Sequence, residues 1–325
     1  MMNAQVHVYI CRLEETYLPV IRKAFDWIGL ASRLRPGDHV AIKPNLTFPV
    51  FRRGVMTNPE ALEAVIIHLK QFTDRITVCE SDTGGYNPFS MDEVFAKTGI
   101  AEFAKRLGVR IVNVSHLPAR DVHVGHWLRD LRVPLPALLL DETDLLITMP
   151  VPKVHLNSIV SIALKNQWGV IHNPAVRLKL HPYFKEVIYQ VNKAMPKTIA
   201  IVDGKYGLTR SGPLKGDVVD LNWILMSDNI FYTDFIVTDL MGFDYRRIPY
   251  LRYAFKKEGI HTTAEVEFNT DYRTFAEHQF YLQRAWTDYP GVFTFNSRVM
   301  AYLGYESILA KPMHWLLYKF REPFY

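Results

Sequence analysis

Short apolar runs that alternate with stretches of helical spacing constrain this chain more than any other feature of its sequence. Residues 6–11, 39–42, 75–79, 109–114, 145–149, 198–202 and 223–226 read as buried strands. Between them, residues 17–30, 58–72, a stretch opening at Ser90, 157–167, 182–194 and 229–241 carry helical periodicity. Strands that alternate with helices are the pattern of βαβ units, because a parallel strand needs a crossover long enough to hold a helix. Two helix starts are written plainly. Asn58-Pro59-Glu60 supplies a cap, a proline for the first turn and an acid beside it, and Ser90-Met91-Asp92-Glu93 spells a capping box. The expected fold is α/β, a mostly parallel sheet of Rossmann-like βαβ units.

Beyond Gly242 the pattern changes. Clean strands give way to mixed aromatic and charged sequence, and residues 247–257, 275–286 and 299–320 read as helices. The expected organisation is an α/β core domain over 1–242 and a C-terminal helical, aromatic-rich extension over 243–325 packed on it. The last of these helices is amphipathic (Met313, Trp315, Leu316, Tyr318, Phe320) and is expected to meet its own core, a second subunit, a partner groove or a membrane surface.

Composition narrows the function classes. A formal charge of +5 over 325 residues is mildly basic, which favours anionic small molecules. The basic residues are scattered, in doublets such as Arg52-Arg53, Arg246-Arg247 and Lys256-Lys257 and no longer runs, so no nucleic-acid face is expected. The two cysteines, Cys11 and Cys79, form no CxxC spacing, which excludes a thiolate zinc site or an iron–sulfur cluster and suits a reducing cytoplasm. Arg12, Glu14 and Glu15 interrupt any secretory signal, and Asp141, Glu142 and Asp144 break the longest apolar stretch, so a cytoplasmic protein without a transmembrane segment is expected.

In open α/β sheets, ligands bind beyond the carboxyl ends of the strands. Those ends read Lys43-Pro44-Asn45, Glu80-Ser81-Asp82-Thr83-Gly84-Gly85, Pro150-Val151-Pro152-Lys153 with His155, Asp203-Gly204-Lys205, and Ser227-Asp228. Five polar clusters on one edge would make a site. Lys43 directly follows an apolar run, so its ammonium is a candidate anion clamp or proton carrier, or else a plain loop lysine. Glu80 and Asp82 are candidate ligands for a divalent metal or a general base; equally, Asp82 orders the turn toward Ser90. Lys165 and Asn166 end the expected helix 157–167, with Asn157 as its cap and Gly169 beyond it, where a lysine also complements the helix dipole. His155 and His172 flank that helix, but together with His181 they lack compact metal-ligand spacing. The glycines Gly204, Gly207, Gly212 and Gly216 suggest a phosphate-cradling loop or a mobile lid, without a Walker A pattern.

The ordered set Lys43-Pro44-Asn45-Leu46, Glu80-Ser81, Pro152-Lys153-Val154-His155, Ala163-Leu164-Lys165-Asn166 with Gly169, Val202-Asp203-Gly204, Gly212-Pro213, Gly216, Ser227-Asp228 and Asp234 resembles the domain-of-unknown-function family 362, over residues 39 to 240. The resemblance implies a prokaryotic intracellular α/β protein. Some members carry ferredoxin-type cysteine clusters; this chain has none, so an electron-transfer role does not carry over. The layout is also loosely similar to lactate racemase at the level of fold.

Two readings are open. In the first, the chain is an enzyme of isomerase, racemase or group-transfer type that acts on a small carboxylate or phosphate metabolite by acid–base or metal-assisted chemistry. Lys43, Lys153, His155, Lys165 and Asp203 are then the catalytic candidates, and Asn45, Ser81, Asn166, Gly204 and Ser227 the substrate-binding ones. Its cofactor is open, with a divalent metal on Glu80 and Asp82 as one candidate. In the second reading, the chain is a non-catalytic binding or scaffold protein of a biosynthetic pathway.

Overall fold

The computed structural model describes residues 5–14, 16–83, 89–126, 129–305 and 307–320. Twelve strands are assigned among them: β1 (Val6–Arg12), β2 (Val40–Pro44), β3 (Ile76–Glu80), β4 (Arg110–Asn113), β5 (Ala119–His126), β6 (Arg129–Pro136), β7 (Leu145–Met149), β8 (Lys153–His155), β9 (Ile159–Ser161), β10 (Lys197–Thr209), β11 (Asp217–Ser227) and β12 (Val266–Phe268). The helices are α1 (Tyr17–Trp27), α2 (Pro59–Leu69), α3 (Met91–Lys97), α4 (Ile100–Leu107), α5 (Ala163–Asn166), α6 (Pro174–Leu180), α7 (Phe184–Ala194), α8 (Ile230–Leu240), α9 (Pro249–Glu258), α10 (Tyr289–Asn296), α11 (Arg298–Tyr305) and α12 (Ala310–Phe320).

The main sheet runs β12-β1-β11-β10-β7-β2-β3-β4, and the β8–β9 hairpin joins it through β10. The pairs β10–β7, β7–β2, β2–β3, β3–β4 and β1–β12 are parallel, as the alternation of elements demands. Only β11 is reversed along this path, antiparallel to both β1 and β10. Each face of the sheet is covered. Ile42, Val78, Ile147 and Ile201 pack with Ile21 and Phe25 of α1, Leu62 and Val65 of α2, and Val94 of α3. Ala41, Cys79, Leu146 and Val202 face Val187 and Val191 of α7, Ile236 of α8 and Phe255 of α9. Strands buried on both sides explain why the sequence shows continuous apolar runs there rather than alternation.

The expected caps form. The Asn58 side chain accepts the Glu60 N–H at the start of α2, and Ser90 accepts the Glu93 N–H at the start of α3. Several expectations need correction. Residues 157–162 are not helical: β8 and β9 form a hairpin there, and only Ala163–Asn166 turns as a helix. The β-branched Ile159, Val160 and Ile162 suit a strand, and Ile159 sits at φ +73°, a conformation costly for such a residue. Asn157 therefore caps no helix, and Gly169 lies inside a 3₁₀ turn over Gln167–Val170.

The glycine-rich stretch is largely sheet. Strand β10 runs through Gly204 and Gly207 and pairs with β11 along its length. A Cβ on Gly204 would enter the Trp223 indole, and one on Gly212 would strike the Val154 carbonyl, so close packing accounts for these glycines. Beyond residue 242, residues 276–285 are not helical, and Leu282 there bridges Arg210. Residues 299–320 divide between α11 and α12, and β12 joins the sheet edge beside β1. The β5–β6 hairpin was not expected at all. No helix among the described residues is long and apolar enough to cross a membrane.

Candidate functional site

Strands β2, β3 and β7 end side by side, and the side chains just beyond them meet. Lys43, at 2% exposure, donates from Nζ to Glu80 Oε2 at 2.7 Å, to Asn166 Oδ1 at 3.1 Å and to the Pro44 carbonyl at 3.0 Å. Asn166 is fixed in turn, its Nδ2 donating to Thr148 Oγ1 at 2.9 Å and to the Lys43 carbonyl at 3.2 Å. Glu80 also accepts the Leu46 and Ser81 backbone N–H groups. Gly169 closes against this pair, because a Cβ there would stand 2.9 Å from Lys43 Nζ.

Lys153 approaches from β8. Its Nζ donates to the Val55 carbonyl at 2.7 Å and to Asn45 Oδ1 at 3.2 Å, and no carboxylate is paired with it among the described residues. Burial first, and then the charges of Lys165 and Lys43, push its pKa down to about 7. Lys165, one residue before Asn166, is likewise pushed down to about 7 by burial and by the charges of Arg177 and Lys43. Two lysines poised near neutrality in one cluster can each hold or release a proton at working pH.

His155 sits beside them with Nδ1 accepting the Asn157 N–H at 3.0 Å and the Ser158 N–H at 3.3 Å. That arrangement puts the proton of the neutral ring on Nε2. Burial and the neighbouring positive charges hold its pKa well below the ordinary histidine value, so the ring stays neutral. His181 is lowered to about 3 for the same reasons, and Asn157 lies 3.1 Å from its Nδ1.

Arg177, on α6, escaped the sequence reading because it follows no strand. Its guanidinium donates to Ser81 Oγ at 3.1 Å and to the Asp82 carbonyl, which draws Ser81 into the cluster. Burial lowers its pKa to about 10, and the guanidinium remains charged at neutral pH. Asp234, buried on α8, accepts the Ala163 and Leu164 N–H groups at 2.8 and 3.1 Å and so anchors the turn that carries Lys165 and Asn166. Burial raises its pKa to about 8, leaving the carboxyl protonated near neutrality.

The structure therefore brings together Lys43, Asn45, Glu80, Ser81, Lys153, His155, Lys165 and Asn166. Four expected members, Asp203, Gly204, Ser227 and Asp82, are directed elsewhere. Asp203 points to the α1–α2 face, where it accepts the Tyr17 hydroxyl at 3.0 Å and the Asn58 N–H at 2.7 Å. Gly204 lies against Trp223. Ser227 ends the reversed strand β11 and is paired in register with Ala200 near the start of β10, at the opposite edge of the sheet. Its neighbour Asp228 there holds His7 and Arg33. The count of five polar ends on one edge thus fails for β11, because nothing in a short apolar run states its direction. The side chain of Asp82 turns to the Met91 N–H and Asn113. Gly84 and Gly85 lie outside the described residues. No group of three or more His, Cys, Asp or Glu side chains is placed to hold a metal among the described residues.

The thylakoid-associated protein sll1697 of Synechocystis sp. is 26% identical over 258 residues, covering 74% of each chain. Among solved structures, the lactate racemase apoprotein from Thermoanaerobacterium thermosaccharolyticum aligns with a TM-score of 0.42 and 14% identity, over 72% of this chain and 57% of that one. A protein from Thermotoga maritima aligns with a TM-score of 0.36 and 10% identity, over 73% and 58%. This chain spans less than two thirds of either solved chain. Residues 40–239 match the family model described as a domain of unknown function, DUF362, and the chain belongs to that family.

Proposed function

We propose that this chain binds a small carboxylate- or phosphate-bearing metabolite at the lysine cluster and acts on it by proton transfer. One observation carries the reading: Lys43, Lys153, Lys165 and Arg177 gather around one buried carboxylate, Glu80, which is itself committed to Lys43. A buried excess of positive charge is costly until an anion enters, so the cluster favours an anionic ligand. Of Lys153 and Lys165, the charged one pairs with the anion. The neutral one takes a proton from a carbon next to the carboxylate, and the electron pair moves onto the carboxylate oxygen. The His155 Nε2–H donates a hydrogen bond to the oxygen that gains charge.

The test is ligand-induced thermal stabilisation across hydroxy acids, phosphorylated sugars and nucleotides, together with solvent deuterium exchange into the bound hydroxy acid by NMR. Stabilisation that Lys153→Ala and Lys165→Ala abolish supports the reading; stabilisation that both variants leave unchanged sinks it. Binding without deuterium exchange would favour the non-catalytic binding role. Repeating the titration with magnesium tests whether Glu80 and Asp82 admit a divalent ion.

The proposed setting is cytoplasmic, in keeping with the free thiols Cys11 and Cys79. The exposed Phe293, Tyr302 and Trp315 of the C-terminal helices, with Ile308 in the turn before the last of them, form the proposed contact for a second copy or another partner. Light scattering of the purified chain measures the first, and vesicle flotation checks the membrane alternative that a thylakoid-associated relative suggests.

A further inference from the structure

Residues 281–296 lie outside the family-matched stretch, yet they are strapped to the hairpin that carries His155. The Arg210 N–H donates to the Tyr281 carbonyl, and the Gln283 N–H returns to the Arg210 carbonyl, both at 2.9 Å. Asn296 Nδ2 donates to Asn157 Oδ1 at 2.7 Å, and the Phe295 ring centroid stands 5.0 Å from that of His181. Between these anchors Arg284 reaches inward. Its Nε donates to the Leu156 carbonyl at 2.8 Å, one residue from His155, and its charge bears on the His155 ring.

That hydrogen bond uses only Nε. Among the described residues the two terminal nitrogens of Arg284 have no hydrogen bond and no ion pair, although the residue is half-buried. Lys165 is also without an ion pair there, and every charge that bears on Lys165, His155 and His181 is positive. A guanidinium held by Nε presents its remaining fork in the geometry that takes a carboxylate or phosphate bidentately. A half-buried cation without a counter-charge is stabilised most by a ligand that supplies one.

We propose that Arg284 is a second anion-binding point beside His155, so that the ligand class is a metabolite with two acidic groups. One group meets Lys165 and Arg177, and the other meets the Arg284 fork. This rests on the anion-binding reading above and adds to it the charge of the ligand and a contribution from outside the family core.

Matched probes test it on the full chain: glycolate, with one acidic group, and phosphoglycolate, with two. Wild-type protein is expected to bind phosphoglycolate about tenfold more tightly or better, the scale of one charge-assisted contact. Arg284→Gln should remove that preference while moving glycolate affinity little, and Lys165→Met should weaken both. Arg284→Lys, which keeps the charge but not the fork, should restore only part of the preference. Glycolate binding with no preference in the wild type, or a preference that survives Arg284→Gln, overturns this inference and leaves the broader reading standing. If neither probe nor any other anion binds the wild type, both fall.

Discussion

The Lys43 ammonium and the Glu80 carboxylate meet at 2.7 Å with the two side chains only 2% and 4% exposed. A pair so buried is worth little against an apolar replacement, but it is expensive to break, because the survivor is left as an uncompensated charge. Glu80→Gln and Lys43→Met should each lower unfolding free energy by about 3–5 kcal/mol. The double variant should lose less than the sum of the two. Urea denaturation of the three proteins checks this, and strict additivity would mean that the pair is not coupled.

The two depressed lysines set a pH dependence above neutrality. Their folded pKa values are near 7 against an ordinary 10.5, so between these limits the unfolded chain binds more protons. Stability must then rise with pH from about 7 toward about 10.5, by up to about 1.4 kcal/mol per pH unit for each lysine. Lys165→Met should remove about half of that slope. Anion binding near pH 8 should also take up protons, which calorimetry in buffers of different ionisation enthalpy will detect.

Asp234 acts in the opposite sense and in a lower window. Its folded pKa is raised from 3.8 to about 8, so the folded chain binds more protons in that range. Its contribution to stability is full below about pH 4 and fades as pH rises to about 8. Asp234→Asn keeps an acceptor for the Ala163 and Leu164 N–H groups and should abolish this fall at little cost near neutrality. Asp234→Ala leaves both donors buried and unmatched, a loss of about 1–3 kcal/mol or more, and should weaken anion binding by loosening Lys165. Thermal melts across pH for the three proteins separate these outcomes.

Gly169 leaves no room for a side chain beside the ion pair. A Cβ would lie 2.9 Å from Lys43 Nζ and 3.1 Å from Glu80 Oε1. Gly169→Ala should cost about 1–3 kcal/mol and reduce ligand-induced stabilisation, because the ammonium must shift. An unchanged melting temperature would show that Lys43 moves aside freely.

The parts of the site that were legible in sequence are those where a strand stops. Lys43, Glu80 and Lys153 come directly after apolar runs, and parallel strands deliver the residues at their carboxyl ends to one edge. Strand β11 broke that rule, since Trp223–Met226 reads the same in either direction, and Ser227 was carried to the far edge with it. The second half of the hairpin, from 157 on, read as the start of a helix because a short apolar stretch satisfies both periods. Its β-branched residues were the signal to weigh. Arg177 and Arg284 stand on elements whose place depends on tertiary packing alone, and nothing adjacent in sequence marks Arg177 as a neighbour of Lys165 or Arg284 as a neighbour of His155. The glycines of β10 and of the turn after it were conspicuous for a reason other than chain freedom: Gly204 admits Trp223, Gly207 admits Phe280 and Gly212 admits the Val154 carbonyl.

The pairing of β12 with β1 gives the chain a topological closure, because the sheet edge beyond β11 is assembled from residues near 6 and near 266, on either side of the family-matched stretch. A fragment cut to residues 40–239 would keep the lysines, yet it would leave β11 as a bare edge and strip Tyr250, Leu251 and Phe255 from the apolar cluster they share with α7 and α8. Such a fragment is expected to self-associate through that edge. The family-matched segment by itself is therefore expected not to stand alone, because its flanks complete both the sheet edge and the apolar cluster.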